Sequence, residues 1–136
     1  KLSPESGAIE APVGRDPRNR QRMAVVSTGR PARTSYRVLM QWKGLSLVEA
    51  TLETGRTHQI RVHFAAIGFP VIGDATYGAK TPYLQRQFVH AHYLKFRLPS
   101  TGQWVEFESP LPPDLRDALE ALTGQPFESL RNTSFL

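Results

Sequence analysis

Cysteine is absent from all 136 residues, which excludes a disulfide framework, a thiolate metal site and any thiol nucleophile, and is compatible with a reducing compartment. No apolar run approaches the roughly 20 residues that span a bilayer, and the opening stretch from Lys1 to Gly14 lacks the hydrophobic segment of a signal peptide. The expectation is therefore a soluble, cytoplasmic chain with no membrane partner. Internal repeats and low-complexity tracts are also missing. With 40% hydrophobic content, the length suits one compact domain with a modest core.

What is present begins with charge. The formal net charge is +5, and residues 1 to 37 carry all of it: eight basic residues against Glu5, Glu10 and Asp16, while the rest balances nine against nine. Arginine dominates that segment, with Arg15, Arg18, Arg20, Arg22, Arg30, Arg33 and Arg37. Its planar donor fork matches phosphate oxygens better than a point charge does. Two readings stay open on this ground alone: a surface for a polyanion, or a solvated segment that aids solubility.

Residues 1 to about 33 are rich in Pro, Gly and Arg, which disfavours helix and predicts an extended or looped arm. Two strands follow, "TSYRVLMQW" and "LSLVEATLE", joined by Lys43 and Gly44 as a tight hairpin. The second has apolar groups on both faces, which predicts a central rather than an edge strand. Residues 57 to 67 read as a helix: Thr57 caps it, Ile60, Phe64 and Ile67 share a face, and Gly68 ends it. "FPVIGDATYG" predicts a short strand and a turn. "QFVHAHYLKFRL" and "QWVEFES" predict a second hairpin across Pro99 to Gly102. After Pro112 and Pro113, Asp114 opens a helix whose Leu115, Leu119 and Leu122 face the core. The domain body is thus residues 34–122, and residues 123–136 read as a tail.

Gly55 and Arg56 before the helix make either an anion-binding corner or a turn that uses glycine for geometry alone. Arg61 follows Ile60 by about 100° of helix rotation, so a guanidinium and an aliphatic group are expected towards neighbouring parts of one cleft. His58 and His63 are five residues apart, unlike the i, i+4 spacing of helical zinc ligands. His90 and His92 share a strand face without a third ligand, so no metal site is expected and hydrogen-bonded structural histidines are. No serine occupies a G-x-S-x-G elbow. Asp74 stands out among the carboxylates, yet Gly-Asp followed by Tyr-Gly is also ordinary turn chemistry.

The stretch "GRTHQIRVHFAAIGFPVIGDATYG" (55–78) resembles the signature near the carboxyl end of RluA-like pseudouridine synthases, enzymes that isomerise uridine to pseudouridine in ribosomal or transfer RNA. "PVGRDPRNRQRMAV" (12–25) resembles the family's arginine-rich stretch, "FVHAHYLKF" (88–96) its histidine-alanine strand and "ESPLPPDL" (108–115) its closing segment. The resemblance implies an α+β fold, a mixed, largely antiparallel sheet with a few flanking helices, and chemistry without metal or organic cofactor. It also implies that a catalytic aspartate attacks the target nucleotide, by covalent addition to the sugar or by proton abstraction, and that the uracil detaches, turns and rejoins through carbon 5. By match to the motif, Arg61 is the arginine that orients that aspartate, and Ile60 is the aliphatic residue that packs on the base. Arg15, Arg18, Arg20, Arg22 and Arg56 are the expected RNA contacts.

The family's H-R-L-D-x-x-T-S-G type stretch, which carries the aspartate, does not occur in this sequence, and none of Asp16, Asp74, Asp114 or Asp117 has that context. The family tyrosine that stacks near the base belongs to the same upstream part, and Tyr36 matches a different one. The expectation is the carboxyl-terminal part of a synthase catalytic domain, inactive alone, whose partners are RNA and the amino-terminal half of the same protein, with self-association of the isolated half through exposed strand edge. A non-catalytic RNA-binding module derived from a synthase is the alternative, and metal-dependent hydrolysis a third reading.

Overall fold

The hairpin built on Gly44 organises the chain. In the computed structural model, which describes residue 2, residues 4–42 and residues 44–130, strand β4 (Arg33–Trp42) turns through Gly44, at φ 78°, into β5 (Leu45–Leu52). Lys43, the other expected turn residue, lies outside the described residues. The pairing is antiparallel from Thr34 opposite Leu52 to Trp42 opposite Leu45, with a bulge between Val38 and Met40. Thr34 and Tyr36 alternate inward with Arg33 and Arg37 outward, the period-two pattern of a half-buried strand.

The segment expected as an extended or looped arm contains three strands. β1 (Ser6–Glu10) runs antiparallel along β4, with Ile9 opposite Thr34. β2 (Val13–Asp16) and β3 (Asn19–Val25) form a separate hairpin with an irregularity between Arg15 and Asp16. The three-stranded sheet has the order β1-β4-β5, so β4 is central and β5, expected to be central, is at an edge. The apolar groups on both faces of β5 have another cause: one alternate set packs with Tyr36 and Phe64 through Val48 and Ala50, and the strand also lines a broad apolar cleft.

Helix α1 (Gln59–Ala66) is shorter than the expected span, and His58 rather than Thr57 is its N-cap. No side-chain cap bond forms there, because Gln59 closes the preceding turn instead: its Oε1 accepts the Arg56 amide at 3.0 Å and the Thr54 hydroxyl at 2.6 Å. At the other end Gly68, at φ 86°, donates to the Ala65 carbonyl and stops the helix. Phe64 is buried and Ile60 half-buried, but Ile67 is 39% exposed, since the helix ends before it can turn inward. Residues 69–78 form turns, without the expected strand.

The second hairpin pairs β6 (Tyr93–Arg97) with β7 (Trp104–Glu108), a shorter span than expected, and His90 and His92 precede β6 rather than lying within it. Helix α2 (Pro113–Thr123) starts on two prolines and stops at Gly124, at φ 69°. Leu115 and Leu119 are buried as expected, and Leu122 is half-buried. A short helix α3 (Phe127–Leu130) falls in the expected tail, and residues 131–136 lie outside the described residues. All strand pairings among the described residues are antiparallel, which together with the helices makes an α+β fold. No helix of the described residues is long and apolar enough to cross a membrane.

Candidate active site

A closed polar network fixes α1 on the sheet. Gln59 Nε2 donates to the Arg33 carbonyl at 2.9 Å and to Thr34 Oγ1 at 3.0 Å. Thr34 Oγ1 is in turn hydrogen-bonded to His63 Nδ1 at 2.8 Å, and His63 Nε2 donates to the Ala11 carbonyl at 2.9 Å. A carbonyl oxygen can only accept, so the proton of the second contact is on His63 Nε2. Thr34 and His63 are completely buried, and no buried side-chain polar atom among the described residues lacks a partner. His63 is thus structural, tying α1 to β4 and to the Ala11 segment.

Two residues earlier, Arg61 points to the turn after Val71. Its Nε donates to Asp74 Oδ2 at 2.8 Å and its Nη2 to Asp74 Oδ1 at 3.0 Å, a two-pronged ion pair. The Asp74 carboxylate is fully buried, whereas the Arg61 side chain keeps 14% of its surface. Oδ1 also accepts the amides of Thr76 and Tyr77, both at 3.1 Å. Burial works against ionisation of Asp74, but the Arg61 hydrogen bond, the two amides and the guanidinium charge outweigh it and hold its carboxyl below the usual range. The same bond raises Arg61 further. Both readings of Asp74 meet here, as it shapes the turn and orients the arginine. The sequence offered no sign that its carboxylate faces α1, because pairing across 13 residues leaves no periodic mark.

Among the described residues, the Nη1 edge of Arg61 makes no hydrogen bond. Tyr77 lies against its face, 5.0 Å from ring centroid to guanidinium carbon. The Tyr77 hydroxyl accepts the Met23 amide at 3.0 Å and meets His58 Nδ1 at 3.0 Å. His58 has φ 56° and is the only non-glycine residue among those described in the left-handed region, a conformation that costs roughly 1–2 kcal/mol. Burial, and then the charges of Arg61 and Arg15, push its imidazole below the usual histidine value, so the neutral ring can accept the Tyr77 proton. Neither Tyr77 nor His58 was picked out by sequence reasoning as a site residue.

Ile60 turns the other way. It borders an apolar cleft of about 1060 Å³, shared with Val48, Ala50, Phe64, Val71 and Phe88, and Arg61 is not in its lining. The expectation of one shared cleft is therefore corrected: the step of about 100° per residue sends adjacent side chains to different walls. The basic residues also divide. Arg15, Arg18 and Arg20 are exposed on the β2–β3 hairpin, Arg15 bonding the Arg20 carbonyl at 3.3 Å. Arg22 is engaged by Asp16 at 2.9 Å. Asp16 also accepts the Arg18 amide at 2.9 Å, and that bond and Arg22 lower its pKa. Arg56 sits off the hairpin, its Nε on the Pro31 carbonyl at 2.8 Å. Each remaining histidine has a partner, His90 the Ser109 carbonyl at 2.9 Å and His92 the Glu49 carboxylate at 3.4 Å.

An α+β domain with a buried, oriented arginine beside an arginine-rich hairpin is matched by known proteins. The family model of RNA pseudouridylate synthases matches residues 1–66. In sequence and fold the chain is similar to RNA pseudouridine synthases over the part of their length that it covers. An uncharacterised RNA pseudouridine synthase of Chloroflexus aurantiacus is 55% identical over 121 residues, 88% of this chain and 38% of that protein. The ribosomal large subunit pseudouridine synthase D of Nitrosomonas europaea is 45% identical, over 93% of this chain and 39% of its own length. The solved human RNA pseudouridylate synthase domain containing 1 superposes with a TM-score of 0.70 at 29% identity, covering 93% of this chain and 62% of that one. The chain thus spans about two-fifths of the length of the curated relatives it matches.

Proposed function

We propose that this chain is the carboxyl-terminal part of the catalytic domain of an RNA pseudouridine synthase acting on ribosomal or transfer RNA in the cytoplasm. In this reading Arg61 orients a catalytic aspartate brought by polypeptide outside the sequence, and Ile60 packs on the target base. The observation that carries it is the Arg61–Asp74 pair: Asp74 fixes two donors of the guanidinium and leaves the Nη1 edge for a second carboxylate. A guanidinium already held in place loses little freedom when it engages another partner, which is the economy of a preorganised site. Ile60, the preceding residue of α1, borders an open apolar cleft on the adjoining wall of the helix. The base would leave its stack to reach such a pocket, at a cost of a few kcal/mol. No cofactor is required.

The amino-terminal half of the protein packs, in this proposal, against the β5 edge and the apolar cleft, and the isolated chain is inactive and self-associates through the same surfaces. Mixing this chain with the amino-terminal half should release tritium from RNA carrying 5-tritiated uridine. No release from the wild-type pair on a verified substrate refutes the enzymatic reading. A strictly monomeric, well-folded chain at high concentration in size-exclusion and scattering experiments refutes the docking surface.

A second reading, a non-catalytic RNA-binding module derived from a synthase, is favoured by the exposed arginines of the β2–β3 hairpin. It predicts RNA binding by Arg15, Arg18, Arg20, Arg22 and Arg56 with no turnover in the reconstituted pair.

A further inference from the structure

We propose that Tyr77 is a positioning residue that couples the arginine-rich hairpin to Arg61; the inference rests on the reading of Arg61 as the active-site arginine. Three elements converge on this side chain. Its ring lies 5.0 Å from the Arg61 guanidinium carbon, and its hydroxyl accepts the Met23 amide of β3 at 3.0 Å. The same hydroxyl meets His58 Nδ1 at 3.0 Å, and the two rings stand edge to face, 5.8 Å apart at 78°. Its own amide donates to Asp74, so the carboxylate that grips the edge of Arg61 and the ring that covers its face stand on one turn.

The two ends of the side chain have separate tasks. The ring limits rotation of the guanidinium out of the plane set by Asp74, through the attraction of a cation to an aromatic face. The hydroxyl joins the ring to β3, whose partner strand β2 carries Arg15 opposite Met23. A displacement of the hairpin when its arginines take up RNA is therefore passed to Tyr77 and on to Arg61. The strained backbone of His58 is part of the same assembly: it brings Nδ1 to the hydroxyl at the head of α1.

Two substitutions separate the tasks. In the pair formed by this chain and its amino-terminal half, Tyr77→Phe should raise KM for RNA about three- to tenfold with kcat within about twofold, and Tyr77→Leu should lower kcat at least about tenfold. Exchange of the Arg61 Nε proton, followed by NMR in the 136-residue chain itself, should stay within about twofold in Tyr77→Phe and quicken about tenfold in Tyr77→Leu. A folded Tyr77→Leu variant with wild-type kcat or wild-type exchange overturns the proposal. So does a Tyr77→Phe variant that loses as much kcat as Tyr77→Leu, since the hydroxyl would then act in the chemistry. Should the wild-type pair turn over no RNA, the enzymatic reading fails, and the proton exchange still decides whether Tyr77 holds Arg61.

Discussion

Arg61 and Asp74 form a two-pronged ion pair at 2.8 and 3.0 Å in which the carboxylate is wholly buried and the guanidinium nearly so. Such a pair is tolerated only while both members are present, because either charge alone would be stranded out of water. Asp74→Ala should therefore destabilise the chain by about 3–5 kcal/mol in urea unfolding. Asp74→Asn retains an oxygen for the Thr76 and Tyr77 amides and should cost less. An Asp74→Ala loss below about 1 kcal/mol would show that the pair contributes no more than an exposed one.

The residue before the carboxylate is equally constrained. Gly73 has φ 83°, and a Cβ built there would lie 1.9 Å from the Arg86 carbonyl oxygen, a backbone atom with no side-chain freedom to yield. Gly73→Ala should cost more than about 2 kcal/mol, combining strain in the left-handed region with displacement of the Arg86 segment. Calorimetric melting checks this. Gly55→Ala is the matched control, since a Cβ there meets nothing within 4 Å.

Acid should weaken the fold in two stages. Folding lowers the pKa of His58 below 6.5, so the unfolded chain binds the proton more readily. That contribution to stability is complete above pH 6.5 and is lost as pH falls through the folded value. Asp74, Asp16 and Asp114 are lowered from 3.8, and their contribution is lost in the same direction at more acid pH. Melting temperature should fall as pH drops from about 7 to about 5, and His58→Asn should flatten that first limb. A wild-type melting temperature that rises over the same interval contradicts the sign.

RNA affinity should depend on salt through the hairpin. Each arginine that neutralises a phosphate releases condensed counterions, so replacing one of Arg15, Arg18 or Arg20 with Gln should lower the slope of log K against log salt by about 0.7 on single-stranded RNA. Arg22→Gln should act differently. Its guanidinium already pairs with Asp16 at 2.9 Å, so the substitution exposes a carboxylate as well as removing a cation. Filter binding at several salt concentrations measures both effects, and a slope unchanged in all four variants removes the hairpin from the RNA interface.

The sequence by itself determined the features that depend on neighbours in the chain. The Gly44 turn, the β4–β5 and β6–β7 pairings, the prolines that start α2 and the glycine that stops α1 all follow from local backbone preference, and the motif around Arg61 carried the resemblance to pseudouridine synthases. Tertiary structure alone decided the rest. It placed β5 at an edge, drew the expected arm into three strands, moved the cap of α1 from Thr57 to His58, and gave Arg61 a partner in Asp74. It also set Tyr77 against Met23, 54 residues away. The physical reason is that turns and periodicity are fixed by interactions within a few residues, whereas the choice of partner for a buried charge or hydroxyl is made when distant segments close on one another and every polar group removed from water must find its match.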